Sequence, residues 1–292
     1  MKQQKVSLGT AQFGSHYGIT NKVGQVAEEE VRRTIEVARE QSVDTVDTAV
    51  AYGSSEEVLG RAGVDDFKVI TKLPAIPETA VDISAWVTDQ VLSSIKRIRI
   101  TQLYALLLHR PNDLLGSRAR ELVRALERLK HEGLVRKIGI SVCGPEELSN
   151  LLNGLKIDVV QAPLNVVDRR MDHTGWLNRL KDFDIEIHVR SAFLQGLLLM
   201  DQEDIPARFS RWSPLWNRWH DKLNLSGVSS LQACLAYPLA LWQVDRVVVG
   251  VENAAQLSEV FMSSTLDCKD FDSSFMSSDD LELINPSNWS NL

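Results

Sequence analysis

Residues 43–72 read VDTVDTAVAYGSSEEVLGRAGVDDFKVITK, and this stretch decides the fold. A short β-prone run ends at Asp47, a turn carries Tyr52, and the two serines at 54–55 predict the cap of a helix with an acidic start. A second strand follows that helix and ends on Lys72. In a parallel (β/α) architecture the ends of successive strands open onto one face, where catalytic groups lie. The stretch therefore predicts that an aspartate, a tyrosine and a lysine share one site.

The same alternation of strand and helix continues along the chain. Further strands are predicted at 6–10, 103–108, 135–141, 156–161, 185–191 and 245–252. The helices between them are amphipathic, with apolar residues every three to four positions. Eight strand–helix units predict a (β/α)8 TIM barrel in the α/β class, with one domain over residues 1–292 and an irregular tail over 266–292. The fourth strand ends on His109, so its imidazole would join the same mouth.

The composition narrows the class of protein. The chain has 292 residues, 44% of them hydrophobic and 24% charged, which is ordinary for a globular protein with a large core. The net charge of −7 argues against a general nucleic-acid or anionic membrane surface. No apolar segment predicts a signal peptide or a membrane span. The three cysteines are scattered without a C-x-x-C motif, so we expect a cytoplasmic protein with no metal site.

Three local motifs carry the candidate catalytic residues, and together they resemble the aldo-keto reductases. VDTAVAYGSSEEVLG contains Asp47 and Tyr52, VITKLP contains Lys72, and LLLHRP contains His109. These residues match the catalytic tetrad of that family in order and in local context. The likeness continues in LGTAQFG near the start, in GIS at 139–141 and in SAFLQGLL at 191–198. The resemblance implies NAD(P)-dependent hydride transfer to an aldehyde, ketone or sugar carbonyl.

The resemblance also implies a role for each member of the tetrad. Tyr52 would act as the general acid/base, although a free tyrosine, with a pKa near 10, is a poor acid at neutral pH. A nearby ammonium favours a phenolate, and Lys72 can supply that charge while Asp47 holds it in place. His109 would donate a hydrogen bond to the substrate oxygen. The alternative is that these four residues form only a buried polar network at a barrel mouth.

For the cofactor, NADPH or NADH, the resemblance implies an extended site across the barrel mouth. Ser141 and Gln161 would hold the nicotinamide carboxamide, and residues 194–196 would line the pyrophosphate path. The full set of predicted cofactor positions is Thr10, Asp47, Ser141, Gln161, Arg190, Ser191, Leu194, Gln195, Gly196, Gly250, Gln256 and Glu259.

Several of these positions depart from the family pattern. Arg190 stands where many members stack an aromatic ring on the nicotinamide, and Val142 replaces an asparagine. Gly250 and Gln256 stand where members that prefer NADPH carry basic residues for the 2′-phosphate. The choice between NADPH and NADH therefore stays open. Two other functions also stay open, a cofactor-poor barrel that acts as a binding or regulatory module, and non-redox carbonyl chemistry.

The segments HRPNDLL, VRSAFLQGLLLM and INPSNW resemble a bacterial subset associated with surface-polysaccharide or amino-sugar pathways. This likeness implies a small carbonyl substrate that is a sugar or a sugar nucleotide. An acidic or phosphorylated substrate would suit a group of arginines near the mouth, unless these are surface residues without a ligand. The arginines are Arg110, Arg169, Arg170 and Arg190.

Two later segments allow a choice of interpretation. In 185–191, Glu186, His188 and Arg190 alternate with apolar residues, which predicts a polar face toward the barrel interior, or else a solvated edge strand. In the long connection 194–226, three tryptophans fall on one helical face. They either pack on the barrel or form an aromatic wall for the substrate.

Overall fold

The computed structural model describes residues 5–152, 156–265, 268 and 271–292. It contains a closed barrel of eight parallel strands, which confirms the predicted (β/α)8 fold. The barrel closes where the first strand pairs in register with the last. The strands are β1 Val6–Gly9, β2 Thr45–Asp47, β3 Lys68–Leu73, β4 Leu103–Leu108, β5 Val135–Ser141, β6 Val159–Pro163, β7 Glu186–Arg190 and β8 Arg246–Gly250.

Helices cover the outside of the barrel. In the described ranges each of them is too short or too polar to cross a bilayer. They are α1 Ala11–Gly14, α2 Glu28–Glu40, α3 Ser55–Ala62, α4 Ile83–Ile98, α5 Ala119–His131, α6 Leu148–Leu151, α7 Arg170–His173, α8 Trp176–Asp182, α9 Ser213–Ser226, α10 Ser230–Ala240, α11 Ala254–Thr265 and α12 Leu281–Ile284.

The main apolar core lies between the strands and these helices. In α2 the stripe Val31, Ile35 and Ala38 is fully buried, as its spacing predicts, and α4 buries Val87 and Val91 in the same way. Side chains alternate along each strand, so the residues opposite these contacts point into the barrel. The strand ends therefore bring inward-facing residues to a single mouth.

The barrel interior is polar along β7, and the prediction of an inward polar face is confirmed. His188 has no exposed surface, and its Nε2 lies 2.7 Å from Glu186 Oε1. The other oxygen of Glu186 accepts hydrogen bonds from Tyr104 Oη, at 2.9 Å, and from Lys137 Nζ. A partly buried network of charged and polar groups thus lies in the barrel at the end away from the mouth.

A second apolar cluster forms outside the barrel from the long connection after β7. Trp212, Trp216 and Trp219 are buried there, and Trp216 Nε1 donates to the carbonyl of Phe209 at 3.1 Å. Of the two interpretations for these tryptophans, the structure supports packing.

The tail completes this second cluster. We expected an irregular segment over 266–292, but its described residues form short helical turns, including α12. Residues 266, 267, 269 and 270 lie outside the described ranges. Trp289 is 4% exposed and packs edge-on against Phe209, with ring centroids 4.9 Å apart. Because aromatic burial of this kind holds the segment, its turns do not depend on helix propensity alone.

Candidate active site

A buried ion pair forms the base of the mouth. Lys72 Nζ donates to Asp47 Oδ1 at 2.6 Å and to the carbonyl of Thr48 at 2.9 Å. The two charged side chains are 1% and 4% exposed. Burial, the largest single cause, lowers the pKa of Lys72, but the charges and hydrogen bonds of Asp47 and Tyr52 together outweigh burial, so the pKa is raised. Lys72 therefore stays a cation at neutral pH.

Tyr52 lies directly above this pair. Lys72 Nζ is 5.0 Å from the centroid of the Tyr52 ring, and the His109 ring meets Tyr52 edge-on with centroids 6.0 Å apart. The phenol is half-buried, so one side of it stays open to the mouth. The four residues that the sequence placed at three strand ends are thus brought together.

Close backbone contacts fix the turn that carries Tyr52. Gly53 adopts a φ of 56°, and a Cβ on Gly14 would lie 1.7 Å from the carbonyl oxygen of Tyr52, so both positions require glycine. Ser54 makes no capping bond to α3, contrary to the prediction. Instead the buried Ser55 hydroxyl donates to the carbonyl of Thr10 at 2.9 Å, which ties the turn to β1.

The His109 imidazole is neutral at physiological pH. Burial, followed by the positive charges of Lys72 and Arg190, lowers its pKa from 6.5 to about 4. A neutral imidazole carries one N–H donor and one acceptor. His109 can therefore donate a hydrogen bond at the mouth without adding a charge.

A cavity of about 370 Å³ runs from Tyr52, across the end of β8, to α11. Its size lies within the range of small-molecule sites. Most of the predicted cofactor positions line it. They are Thr10, Asp47, Gln161, Arg190, Ser191, Gln195, Gly196, Gly250, Gln256 and Glu259.

Two predicted cofactor residues do not line this cavity. Leu194 was predicted on the pyrophosphate path, but its side chain is buried in the second apolar cluster, so only its neighbours Gln195 and Gly196 face the cavity. Ser141 pairs in register with Gln161 at the end of β5 and is 6% exposed, beside the cavity but outside its lining. Its hydroxyl is therefore not part of the wall.

Gln161 and Arg190 are held by neighbouring groups. Gln161 Nε2 donates to Asp47 Oδ2 at 2.7 Å, which orients the carboxylate toward Lys72. Arg190 donates to the carbonyl of Val142 at 3.1 Å and to Ser191 Oγ at 3.3 Å. The guanidinium is therefore anchored at the rim of the mouth.

Sequence reasoning missed the loop after β1. Tyr17 lines the cavity, and loss of solvent around its hydroxyl together with Tyr52 raises its pKa. The amide of Ile19 donates to the carbonyl of Gln195 at 3.1 Å, so this loop meets the β7 loop above the end of β8. Gln12 also lines the cavity, and a Cβ on Gly250 would lie 2.7 Å from its amide. The glycines in 11–26 and the tyrosine among them were the available signal.

The far end of the cavity is acidic. Glu252 and Glu259 line it, and among the described lining residues Arg190, at the opposite end, is the single cation. Free backbone N–H groups at the start of a helix can bind an anion. The Ala254 amide instead donates to Glu30 Oε1 at 2.8 Å, and Asn253 Oδ1 caps Gln256 at 2.9 Å. A carboxylate already occupies this helix end.

The predicted arginine cluster also separates in space. Arg169 is buried and donates to Ser273 Oγ at 2.7 Å, and Arg170 pairs with Asp168 at 2.9 Å. Arg110 is exposed and does not line the cavity. Arg190 alone among the four reaches it.

The mouth of this (β/α)8 barrel thus holds a tyrosine over a buried lysine–aspartate pair, beside a neutral histidine. The model of the Aldo/keto reductase family matches residues 5–274, so the chain belongs to this family.

Individual relatives are distant. The chain is 25% identical over 211 residues to an aldo-keto reductase, YhdN, from Bacillus subtilis, a match that covers 68% of this chain and 61% of the relative. It is 24% identical over 285 residues to L-galactose dehydrogenase from Arabidopsis thaliana, covering 89% and 83%. The chain thus spans only 61% and 65% of the first two curated relatives it matches.

Solved structures share the fold. An aldo-keto reductase from Bacillus halodurans in its holo form matches with a TM-score of 0.72 at 20% identity, over 90% of this chain and 87% of the other. A glycerol dehydrogenase from Gluconobacter oxydans matches with a TM-score of 0.69 at 21% identity, over 97% and 92%.

Proposed function

We propose that this protein is an NAD(P)-dependent oxidoreductase that reduces a small aldehyde, ketone or sugar carbonyl, with Tyr52 as the general acid/base. The observation that carries the proposal is the buried Lys72–Asp47 pair beneath Tyr52, at 2.6 Å, with the neutral His109 at its edge. A merely structural polar network does not require a half-open tyrosine above a buried cation.

The residues present fit a nicotinamide dinucleotide. The cavity extends from Tyr52 across the end of β8 to α11, and its lining carries amide, hydroxyl and carboxylate side chains that can hydrogen-bond to a ligand. The bound dinucleotide would supply the hydride, so its nicotinamide belongs at the end near Tyr52 and its adenosine at the α11 end. Gln195 and Gly196 would hold the middle, and Gln256 and Glu259 the adenosine.

Residues of the protein donate the proton that the reaction requires. The substrate oxygen accepts hydrogen bonds from the Tyr52 hydroxyl and from His109, which fixes the carbonyl and favours negative charge on its oxygen. On reduction of the carbonyl, the Tyr52 proton would move to that oxygen, and the positive charge of Lys72 would stabilise the phenolate that remains. Because Tyr52 is half-buried, the phenolate regains its proton from solvent at the mouth.

We infer that NADH is preferred over NADPH. A 2′-phosphate would add negative charge beside Glu252 and Glu259, where the described lining has no cation and Glu30 already occupies the helix end. A free ribose diol can instead donate to carboxylates and amides. One relative, from Escherichia coli, is named an NADH-specific methylglyoxal reductase.

For the substrate, we propose an uncharged or sugar-like carbonyl compound. Two of the four arginines expected to bind an acidic group are committed to other partners, so support for a phosphorylated substrate rests on Arg190. A sugar is compatible with the name of the plant L-galactose dehydrogenase. A panel of aldoses, sugar nucleotides, methylglyoxal and aromatic aldehydes tests the choice, and exclusive turnover of aromatic aldehydes would remove the sugar proposal.

The activity itself is tested by following NADH oxidation with that panel in the wild type and in Tyr52→Phe. We expect Tyr52→Phe to reduce kcat by about 10² to 10⁴-fold, the usual contribution of general acid–base catalysis, while NADH still binds. Tyr237→Phe is the matched control, because Tyr237 donates to Asp172 away from the cavity. If neither dinucleotide binds, the barrel is a binding or regulatory module instead.

A further inference from the structure

Three buried polar atoms inside the barrel have no hydrogen-bond partner among the described residues. They are Gln161 Oε1, His188 Nδ1 and Ser7 Oγ, and all three residues are 0% exposed. A buried donor or acceptor without a partner destabilises the folded state, because it has lost its hydrogen bonds to water. Three such atoms in one barrel therefore require an explanation, and their positions supply one.

The strand register places the three side chains in two neighbouring layers of the barrel interior. Gln161 and His188 are direct partners on the neighbouring strands β6 and β7. Ser7 points inward from β1, which lies two strands from β7 around the closed barrel. Barrel interiors stack in layers of four residues from alternate strands. Ser7 and His188 are adjacent members of one layer, and Gln161 belongs to the layer above.

The donor and acceptor roles are fixed by the bonds already made. His188 Nε2 lies 2.7 Å from a Glu186 carboxylate oxygen, which can only accept, so Nε2 carries a proton and Nδ1 is left to serve as the acceptor of the ring. Gln161 donates through Nε2 to Asp47, which leaves Oε1 as an acceptor. The Ser7 hydroxyl is free to donate. The site thus presents two acceptors and one donor.

We propose that an internal water molecule binds at this site, donating to Gln161 Oε1 and His188 Nδ1 and accepting from Ser7 Oγ. Buried waters typically make about three such bonds to otherwise unsatisfied groups. Through this water, His188 and Ser7 are positioning residues. They fix the Gln161 amide, so that its Nε2 holds Asp47 toward Lys72.

The functional part of this inference rests on the proposed dinucleotide site, whereas the water itself does not. Two direct observations test the water on the wild-type protein. A high-resolution crystal structure should show ordered density within about 3 Å of all three atoms. Long-range ¹⁵N NMR should show a neutral His188 with its proton on Nε2. An empty site, or a doubly protonated ring that donates directly to Gln161, would overturn the proposal.

Two matched variants separate the bonds of His188. In His188→Asn the side-chain amide can take the place of Nδ1 and keep the hydrogen bond to the water, but it is too short to reach Glu186. In His188→Gln the longer side chain keeps the hydrogen bond to Glu186 and loses the hydrogen bond to the water. We expect His188→Gln to weaken NADH binding about tenfold, equivalent to about 1.4 kcal/mol, and His188→Asn to bind almost as the wild type does.

Equal loss in the two variants, or a lower melting temperature with unchanged NADH affinity in both, contradicts the positioning role. If the wild type binds no dinucleotide, the proposed function fails separately. In that case the crystallographic and NMR observations still decide the water site, and they do so even if a variant does not fold.

Discussion

Lys72 and Asp47 form a buried ion pair at the base of the barrel mouth. Their side chains are almost fully removed from water and are joined at 2.6 Å, with Gln161 holding the second carboxylate oxygen at 2.7 Å. Desolvation makes such a pair a weak source of net stability, but removing one partner leaves an uncompensated buried charge. Replacing either member of the pair alone should therefore lower the stability of the folded state.

Lys72→Met should destabilise the protein by about 3–5 kcal/mol, because Asp47 would then be buried without a counter-ion. Urea unfolding measures this change. The double variant Asp47→Asn with Lys72→Met carries no buried charge at this point, so it should recover part of the loss. A double variant that is as unstable as the sum of both single variants would contradict this account of the pair.

His109 should titrate far below an ordinary histidine. Its pKa of about 4 in the folded protein lies below the free value of 6.5, so the unfolded chain binds the proton first as pH falls. This group then contributes nothing to stability above 6.5 and lowers stability as pH drops from 6.5 toward 4. NMR titration of the ring should give a midpoint near 4. His109→Asn should flatten the loss of stability in the same window, and a midpoint between 6 and 7 would contradict the buried, cation-facing environment.

At the scale of single residues, the sequence was informative where a strand end carried an ionisable side chain. Asp47, Lys72 and His109 follow β-prone runs, and parallel topology brings such positions together. Gln12 and Tyr17 were not predicted, because they reach the cavity from a loop that folds back over the mouth. No repeating pattern of apolar residues in the sequence indicates the path of this loop. The position of the Leu194 side chain also differs from the expectation. Its place in a recognisable segment did not reveal that its side chain turns into the second apolar cluster.

At the scale of elements, the long connection after β7 and the C-terminal tail pack against each other outside the barrel. α9 and the tail bury Trp216, Trp219 and Trp289 in one cluster, and none of these residues lines the cavity. The described part of the tail does not reach the cavity lining. Its contribution is therefore to stability.

Trp289→Ala should destabilise the fold by about 3–5 kcal/mol, the usual cost of truncating a buried aromatic side chain, and leave NADH affinity unchanged. Chemical denaturation and dinucleotide titration measure the two effects. Arg211→Ala is the matched control in the same contact, because its bonds to Asp280 and Glu282 are exposed and should matter little. A large loss of NADH affinity in Trp289→Ala would show that the tail does shape the site.

A cation added at the start of α11 should change the preference between NADPH and NADH. Gln256→Arg adds a cation to an end of the cavity that now carries Glu252 and Glu259. A charge-assisted bond to a phosphate contributes about 1.5–3 kcal/mol, so the ratio of NADPH to NADH affinity should rise roughly tenfold or more. Gln41→Arg, on the exposed end of α2, is the control for added charge. An unchanged ratio would mean that the 2′-phosphate does not lie here.

Secondary structure was predictable where a repeating pattern of apolar and polar residues extended over a whole helix or strand. The stripes of α2 and α4 and the polar alternation of β7 appear in the structure as expected. Elements of a single turn were not predictable, because their stability comes from tertiary packing rather than from propensity. α1 is held by its contact with the Tyr52 turn, and α12 by the cluster around Trp289.

At the scale of the whole molecule, the barrel carries an apolar shell around a polar axis. The axis runs from the Lys72–Asp47 pair through Gln161 and His188 to the network of Glu186. The alternation of strands and helices was sufficient to predict the closed barrel. It could not predict that the cavity would be acidic at one end and basic at the other, because that depends on which loops meet above β8.

The measurement that tests the central claim most directly is a titration of the purified wild-type protein with NADH and with NADPH, followed by quenching of its tryptophan emission. The account predicts saturable micromolar binding of NADH, with NADPH weaker by about tenfold or more because its 2′-phosphate meets the acidic end near α11. Equal or tighter binding of NADPH would contradict the assignment of that end. Failure of both dinucleotides to bind would contradict the reductase function itself.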